Sequence, residues 1–572
     1  MLRDKSGEWI VRSCAVGCLL LFVAGGGRGA KSRSGDEATA SAAATDAQTS
    51  AQSSPQQQSG KTVCQVTAET NPPLSPALAS ALTLYRTGKF DEAIIAYNAV
   101  VPVGGGEAAA AYAGLARVYL KQHKVAEAYD AAMKAVALTP DRAPAVVALG
   151  EVYYRQGKLG GAKALFLKPL LKCNLDARAF LGLTNIHRVT LNFKRAKSEI
   201  DQAYKLDPGD PDIRRAYLGT LSGVERVKFL QDYLAGATND DAETREAMVQ
   251  ELSMLEDEGN AQEHQCRLVS NVSKTETRLE PLLYNPRDIR GYGLAVKLNG
   301  VSSRLMLDTG ASGILVDSKI AAKAGIKPVA DEKIHGIGDK AAMTGFVGYA
   351  EKIQIGELEF QGCIVEVATG RSVLGDDGLI GADVFRHFLV DMDMPNGKFK
   401  LSPLPPFPDE ATAATNLDTK SVGVRHFRDR YVPPEMKDYS DIFLFGHQML
   451  IATRVNDSAG KLFLIDTGSF DNTLSLAMAK EVTKLNLDED TQVKGLNGNV
   501  KQVYRARHAK LQFSHFYQDR QDLVAFDLSN ISNGDGTEVS GVLGFAMLGL
   551  LDMKIDYRDG LVDFRYGGER FH

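Results

Sequence analysis

Two stretches decide the fold: Arg304-Leu305-Met306-Leu307-Asp308-Thr309-Gly310-Ala311-Ser312 and Lys461-Leu462-Phe463-Leu464-Ile465-Asp466-Thr467-Gly468-Ser469-Phe470. Each is an apolar run that ends in Asp-Thr-Gly. Average composition gives roughly one chance in ten of meeting that triplet once in a chain of 572 residues. Two copies in matched surroundings imply an internal duplication that presents a pair of carboxylates.

The duplication extends outward from the triplets. A strand-like run and a hairpin turn precede each, Tyr292 to Leu298 with Asn299-Gly300, and Met449 to Val455 with Asn456 to Gly460. A helical segment follows each, Asp317 to Ala324 and Ser475 to Lys484. Glycine-rich turns come next, Gly336-Ile337-Gly338-Asp339 and Gly495-Leu496-Asn497-Gly498. Then each copy has two apolar residues and a glycine, Leu379-Ile380-Gly381 and Val542-Leu543-Gly544. Phe388 to Asp393 before Asn396-Gly397, and Leu550 to Asp556 before Asp559-Gly560, close the two copies. The aspartates lie 466 − 308 = 158 residues apart and the later glycines 544 − 381 = 163. One order at nearly one offset excludes coincidence.

Each copy resembles one lobe of the pepsin-like and retropepsin-like aspartic peptidases, and its short length is closer to the retropepsin-like form. The resemblance covers roughly the last half of the chain. It implies a mainly β, bilobal fold with its active site between the lobes. By position, Asp308 and Asp466 would be the catalytic dyad. Thr309 and Thr467 would interlock the lobes, and Gly310 and Gly468 would let the backbone approach the carboxylates. Leu379-Ile380-Gly381 and Val542-Leu543-Gly544 would pack under the catalytic loops.

Such a dyad works because two carboxyls about 3 Å apart cannot both ionise freely and come to share a proton. The ionised partner can activate water while the protonated one hydrogen-bonds the scissile carbonyl. This chemistry implies neither a cofactor, a metal nor a covalent intermediate. The apparent pKa values belong to the pair, so sequence assigns neither role to Asp308 or Asp466. The copies differ in the next residue, Ala311 against Ser469, and then in Ser312 against Phe470. A hydroxyl on one side alone makes the dyad asymmetric and points to a mildly acidic working pH. Ile334 to Gly345 and Val493 to Tyr504 fall where the family carries substrate flaps, although plain hairpins would read the same way. His335, in the first of them, reads as an exposed loop residue rather than a substrate contact.

The start of the chain reads as an export signal. Arg3, Lys5 and Arg12 lead into the apolar stretch Cys14 to Ala24, followed by small residues to Ala30. That stretch is shorter than the roughly 17–25 residues of a membrane-spanning helix. Leu19 to Val23 continue the apolar run beyond Cys18, which argues against lipidation there. The expected location is periplasmic or extracellular, with an uncleaved N-terminal anchor as the only membrane contact. Residues 31–75, mostly Ala, Ser, Thr, Gln and Gly, form a linker too polar to bury a core.

From Pro76 to Asp212 the pattern is helical and periodic. Leu115, Ala116, Tyr119 and Ala128 recur as Leu149, Gly150, Tyr153 and Ala162, a shift of 34 residues. Leu84, Gly88, Phe90, Ala93 and Tyr97 form an earlier copy, and Leu181, Gly182, Ala203 and Pro208 a looser later one. This resembles tetratricopeptide repeats, which implies an all-α solenoid able to dock a protein or peptide. A rigid spacer or self-association module is the alternative. The helical cap and connector runs over 213–280, the first lobe over 281–402, an inter-lobe linker and insertion over 403–444, and the second lobe over 445–568.

Composition narrows the rest. A net charge of −5 with both signs spread evenly gives no basic stripe for nucleic acid. Beyond the signal, Cys64, Cys173, Cys266 and Cys363 are widely scattered, without metal-ligand spacing, and read as buried or free thiols. The expectation is an all-α repeat solenoid followed by a bilobal peptidase fold that hydrolyses peptide or protein substrates, with the repeats recruiting substrate or a partner. The alternatives are a non-catalytic binding scaffold that keeps the fold, and an enzyme whose lobes pair between two chains. Intact Asp-Thr-Gly triplets argue against the first, and the long 403–444 linker argues against the second.

Overall fold

The structure is a computed structural model. It describes residues 74–567 apart from 173–174, 257–265, 286–287, 335–342, 370–376, 409–426, 490, 492 and 496–497. The export signal, almost all of the linker, His335, Gly336, Gly338 and the cysteines at 14, 18, 64 and 173 lie outside the described residues.

Helices come in pairs joined by tight turns: Pro76–Arg86 with Phe90–Val100, Gly105–Lys121 with Val125–Leu138, Ala143–Arg155 with Leu159–Leu171, and Ala177–Val189 with Phe193–Leu206. Pro211–Leu218, Gly223–Ala235 and Ala242–Glu256 follow. The turn inside each pair places one residue in the left-handed region: Gly88 (φ 73°), His123 (58°), Gly157 (70°) and Leu191 (60°). The last three are 34 residues apart, which is the period read from the side chains. Small residues open the helix seams. A Cβ on Gly114 would lie 2.3 Å from the Tyr97 ring, and one on Gly182 would lie 2.4 Å from the Phe166 ring.

The array curls until its first helix meets Pro211–Leu218. The Tyr85 hydroxyl donates to Asp212 Oδ2 at 2.8 Å, and Arg86 pairs with Asp207. Arg178 fills the space between, donating to Glu151 at 2.7 Å, Asp210 at 2.6 Å and Asp212 at 2.9 Å. Arg117 shares Glu151 at 2.7 Å, and Lys121 shares Asp212 at 2.6 Å. Buried charges persist only when paired in this way. Near its axis, the inner face of the array is therefore occupied by its own ion network.

Strands take over from Thr275. In the first lobe Asp288–Leu298 and Val301–Asp308 form a hairpin through Asn299 (φ 48°) and Gly300 (φ 84°), the pair of positive φ values that a tight hairpin demands. Val301–Asp308 then runs parallel to Gly378–Gly381, with Asp308 opposite Gly381. Ile314–Asp317 lies antiparallel to Gly378–Gly381 and parallel to Leu358–Ala368. The second lobe repeats this register. Lys461–Ile465 runs parallel to Gly541–Leu543, and Thr473–Ser475 lies antiparallel to that strand and parallel to Phe516–Phe526. A short helix follows in each copy, Ser318–Lys323 capped by Asp317 and Leu476–Val482 capped by Ser475.

The lobes join through a six-stranded antiparallel sheet: Thr275–Asn285, Lys398–Pro403, Phe388–Asp393, Leu551–Asp556, Leu561–Tyr566 and Ser440–Phe445. At its centre Val390 faces Ile555 and Met392 faces Met553, so matching strands of the two copies pair with each other. Both outer strands continue out of this sheet into a lobe, pairing with Asp288–Leu298 and Gln448–Val455 respectively. The sequence boundaries at 280/281 and 444/445 fall inside these two strands, because one strand serves both the junction and a lobe.

The cysteine reading needs correction. Cys266 and Cys363 form a disulfide across 97 residues, beside the edge pairing of Arg267–Leu268 with Phe360 and Gln361. Strand pairing brought together two residues whose spacing carried no signal.

Candidate active site

Both aspartates sit at the ends of parallel-paired central strands, where the backbone leaves the sheet. Asp308 and Asp466 are fully buried. Each carboxylate is held by its own loop: Gly310 N donates to Asp308 Oδ1 at 2.9 Å, and Gly468 N to Asp466 Oδ1 at 2.8 Å. Glycine is required at 310 because a Cβ there would lie 2.6 Å from the Asp466 carboxyl carbon. That contact also shows how closely the first loop approaches the second carboxylate.

The two threonines bind the loops to each other. Thr309 Oγ1 donates to the Ile465 carbonyl at 2.8 Å, and Thr467 Oγ1 donates to the Leu307 carbonyl at 3.1 Å. Each hydroxyl also accepts the other threonine's backbone N–H. Four buried hydrogen bonds thus fix the distance between the lobes at the aspartates.

The carboxyls are not equivalent. Ser469 donates to Asp466 twice, from Oγ to Oδ2 at 2.8 Å and from its backbone N–H to Oδ1 at 3.1 Å. Ala311 gives Asp308 no such hydroxyl, and Asp308 Oδ2 is buried with no donor facing it. Burial, with the charge of Asp466 beside it, pushes the Asp308 carboxyl well above the usual range. Burial also raises Asp466, to about 6, against the pull of the Ser469 hydroxyl and of its hydrogen bond with Asp308. The serine donor favours the ionised form of Asp466 and Asp308 has no such donor, so of the pair Asp308 is the carboxyl held more strongly in its protonated form.

The apolar-apolar-glycine elements lie directly beneath the loops. A Cβ on Gly381 would lie 2.3 Å from the Ala311 carbonyl, and one on Gly544 would lie 2.4 Å from that of Asp471. Two further polar residues that the sequence reading missed brace these contacts. Asp383 Oδ1 accepts Gly313 N at 3.1 Å in the first lobe, while Asn472 Oδ1 accepts Gly544 N at 2.7 Å in the second. Asp383 is detectable in sequence as an acid two residues after the glycine, inside an apolar run; Asn472 carries no such signal. Burial raises Asp383 to about 6. Of the flap segments, Ala330–Ile334 pairs with Met343–Ile355, and Lys494–Gly495 with Gly498–Asn499.

The family model described as aspartyl protease matches twice, over residues 294–384 and 451–547, once around each Asp-Thr-Gly. Among curated proteins, DNA damage-inducible protein 1 of Chaetomium globosum is 25% identical over 177 residues, 30% of this chain and 35% of that protein. UBA domain-containing protein Mud1 of Schizosaccharomyces pombe is 26% identical over 108 residues, 18% of this chain and 31% of that protein. The chain thus spans about a third of the length of these relatives. Among solved structures, a retropepsin-like aspartic protease from Rickettsia conorii aligns at TM-score 0.18 and 20% identity, over 24% of this chain and 94% of its own. A thermophilic TPR protein of Thermus thermophilus aligns at TM-score 0.24 and 22% identity, over 31% of this chain and 96% of its own. With the doubled family match laid on two lobes of one register, the C-terminal half of the chain has the bilobal aspartyl protease fold, set behind an array of paired helices whose turns recur every 34 residues.

Proposed function

We propose that the protein is an aspartic endopeptidase that hydrolyses peptide bonds with a water activated between Asp308 and Asp466. The observation that carries this is the asymmetric, interlocked dyad, with two buried carboxyls of which one alone has a serine donor. Asp466, ionised first, takes a proton from water, and the water oxygen attacks the scissile carbonyl carbon. Asp308, protonated, donates a hydrogen bond to the carbonyl oxygen and stabilises the charge that develops there. Collapse of the tetrahedral intermediate breaks the C–N bond as a proton passes to the leaving nitrogen. The difference between the carboxyls supports a mildly acidic working range.

Export remains part of the proposal. A disulfide between Cys266 and Cys363 supports it, because such bonds persist in oxidising compartments. Recruitment of substrate or a partner by the repeats is supported by a cavity of about 670 Å³ between the array, whose ion network lines it, and the end of the second-lobe helix Ser529–Asp535. Its volume falls within the range of sites that hold small ligands.

The test is cleavage of a mixed peptide library between about pH 3 and 7, wild type beside Asp466→Asn. Cleavage by the wild type alone supports the peptidase. No cleavage by folded wild type at any pH overturns it and leaves a binding scaffold.

A further inference from the structure

The repeat array docks on one lobe, at the strand that carries one of the two aspartates. Two of its contacts come from the left-handed turns of successive repeats, and just past the second turn Lys194 N donates to the Arg428 carbonyl at 3.3 Å and Arg195 N to Asp429 Oδ1 at 3.0 Å. At the first, Gly157 lies so close to the second lobe that a Cβ would be 3.3 Å from Leu462 and 3.4 Å from the Glu538 carbonyl. At the equivalent turn of the next repeat the roles reverse: Leu191 is buried, and a Cβ on Gly560 would lie 2.7 Å from it. Where the array has glycine the lobe presents leucine, and where the array has leucine the lobe has glycine.

Further contacts surround the first turn. Thr537 Oγ1 donates to the Tyr154 carbonyl at 2.9 Å, and Arg155 donates to Asn533 Oδ1 at 2.5 Å. The Tyr154 ring meets Phe445 with centroids 6.1 Å apart. Beneath them Val147, Leu159, Phe166 and Ile186 of the array belong to the same apolar cluster as Leu462, Leu464 and Val542. Leu462 is four residues from Asp466 on the same strand, and its carbonyl accepts Ser540 N at 2.8 Å, leading into the parallel partner Gly541–Leu543. Towards the first lobe, an exposed ion pair joins the array's Glu246 to Lys333 at 2.7 Å.

We infer that the repeat array is a positioning element for Asp466: its Gly157 turn holds the strand Lys461–Ile465 and its partner in place, while its Leu191 turn is seated on the inter-lobe sheet at Gly560. Met306, Ala311 and Leu379 of the first lobe belong to the same apolar cluster, but no turn of the array is seated on the strand Val301–Asp308 among the described contacts, so the two halves of the dyad are held differently. The array is then an integral part of the second lobe. This rests on the proposed peptidase reading for its catalytic consequence, but the mechanical coupling is measurable without activity.

The experiment uses the full chain with Gly157→Leu and Thr537→Val, and His123→Leu as control. Leucine occupies the equivalent left-handed position at 191, so the fold tolerates it in this turn, and Thr537→Val, which leaves the turn untouched, separates the contact from the strain of a side chain at positive φ. His123 is exposed and occupies the same position in the preceding repeat. Hydrogen exchange is measured over 461–469 and 538–545, with 301–310 and 377–383 as the matched first-lobe segments. The expected result is exchange at least about tenfold faster in the second-lobe segments of the two variants, unchanged first-lobe segments, and a control like wild type. Turnover should fall in kcat with KM little changed, and the acidic limb of the pH profile should move while the alkaline limb stays. Unchanged exchange, or equal acceleration in both lobes, would overturn the inference. Coupled exchange in a wild type that cleaves nothing would uphold the brace and reject the peptidase.

Discussion

Thr309 and Thr467 exchange hydrogen bonds as equals: Thr467 N donates to Thr309 Oγ1 at 3.0 Å, and Thr309 N donates to Thr467 Oγ1 at 3.1 Å. All four groups are buried, so neither lobe satisfies its own loop. Thr467→Val keeps the shape and leaves the Thr309 N–H unpaired, which should cost about 1–3 kcal/mol. Chemical denaturation would measure it, and a variant as stable as wild type would remove the interlock from the account of lobe docking.

Asp308→Asn and Asp466→Asn should each reduce turnover by about a thousandfold or more while leaving circular dichroism unchanged. Combining them should add little, since the carboxyls act as a unit. Full activity in either single variant would exclude the dyad.

Ser469 and Ala311 set opposite limbs of the pH profile. Ser469→Ala removes the hydroxyl that favours ionised Asp466, so the acidic limb should move up by roughly half to one pH unit. Ala311→Ser would offer Asp308 a matching donor, lower its pKa and bring the alkaline limb down. Profiles of kcat/KM test both shifts, and movement of the wrong limb would reverse the assignment of the proton to Asp308.

Glu366 is half-buried, and its Oε2 is buried with no hydrogen-bond partner. Burial pushes its carboxyl up to about 8, with the charges of Glu332 and Asp383 acting in the same direction. The folded state therefore holds a proton that the unfolded state releases near pH 4, and stability falls as pH rises from about 4 towards 8. Glu366→Gln should be about 3–4 kcal/mol more stable than wild type at pH 7.5 and within about 1 kcal/mol of it at pH 4.5. Melting curves at the two pH values measure this, and equal gains at both would refute the titration.

Gly182 supports the ring of Phe166, with 2.4 Å from a built Cβ to that ring. Gly182→Val should destabilise the array by about 1–3 kcal/mol through overpacking. Adding Phe166→Leu should recover part of the loss in the same denaturation measurement. Failure of that rescue would place the cost in the helix backbone rather than in the seam.

The parts of the fold that sequence revealed were those fixed by local chemistry. Asp308 and Asp466 announced themselves because a dyad needs one short motif twice, at ends of apolar runs. The 34-residue period was visible because the helix seams need the same residue types at the same places, Leu115, Ala116, Tyr119 and Ala128 recurring as Leu149, Gly150, Tyr153 and Ala162. Cys266 and Cys363 gave no sign because only sheet pairing brings them together. Asn472 was hidden for the same reason: its acceptor role depends on Gly544, 72 residues away. The strand Ser440–Phe445 was read largely as insertion because its partners Leu561–Tyr566 and Gln448–Val455 lie in two different sheets.

An open solenoid can gain or lose a unit, since each repeat touches only its neighbours. This array cannot do so freely. Tyr85 and Asp212 are 127 residues apart in sequence, yet one hydrogen bond spans them. Deleting or inserting a single 34-residue unit would separate them and leave Arg178 short of acids to meet. It would also move the Gly157 and Leu191 turns out of register with Leu462 and Gly560. The repeat number is therefore a fixed dimension of this protein, set by ring closure on one side and by the peptidase surface on the other.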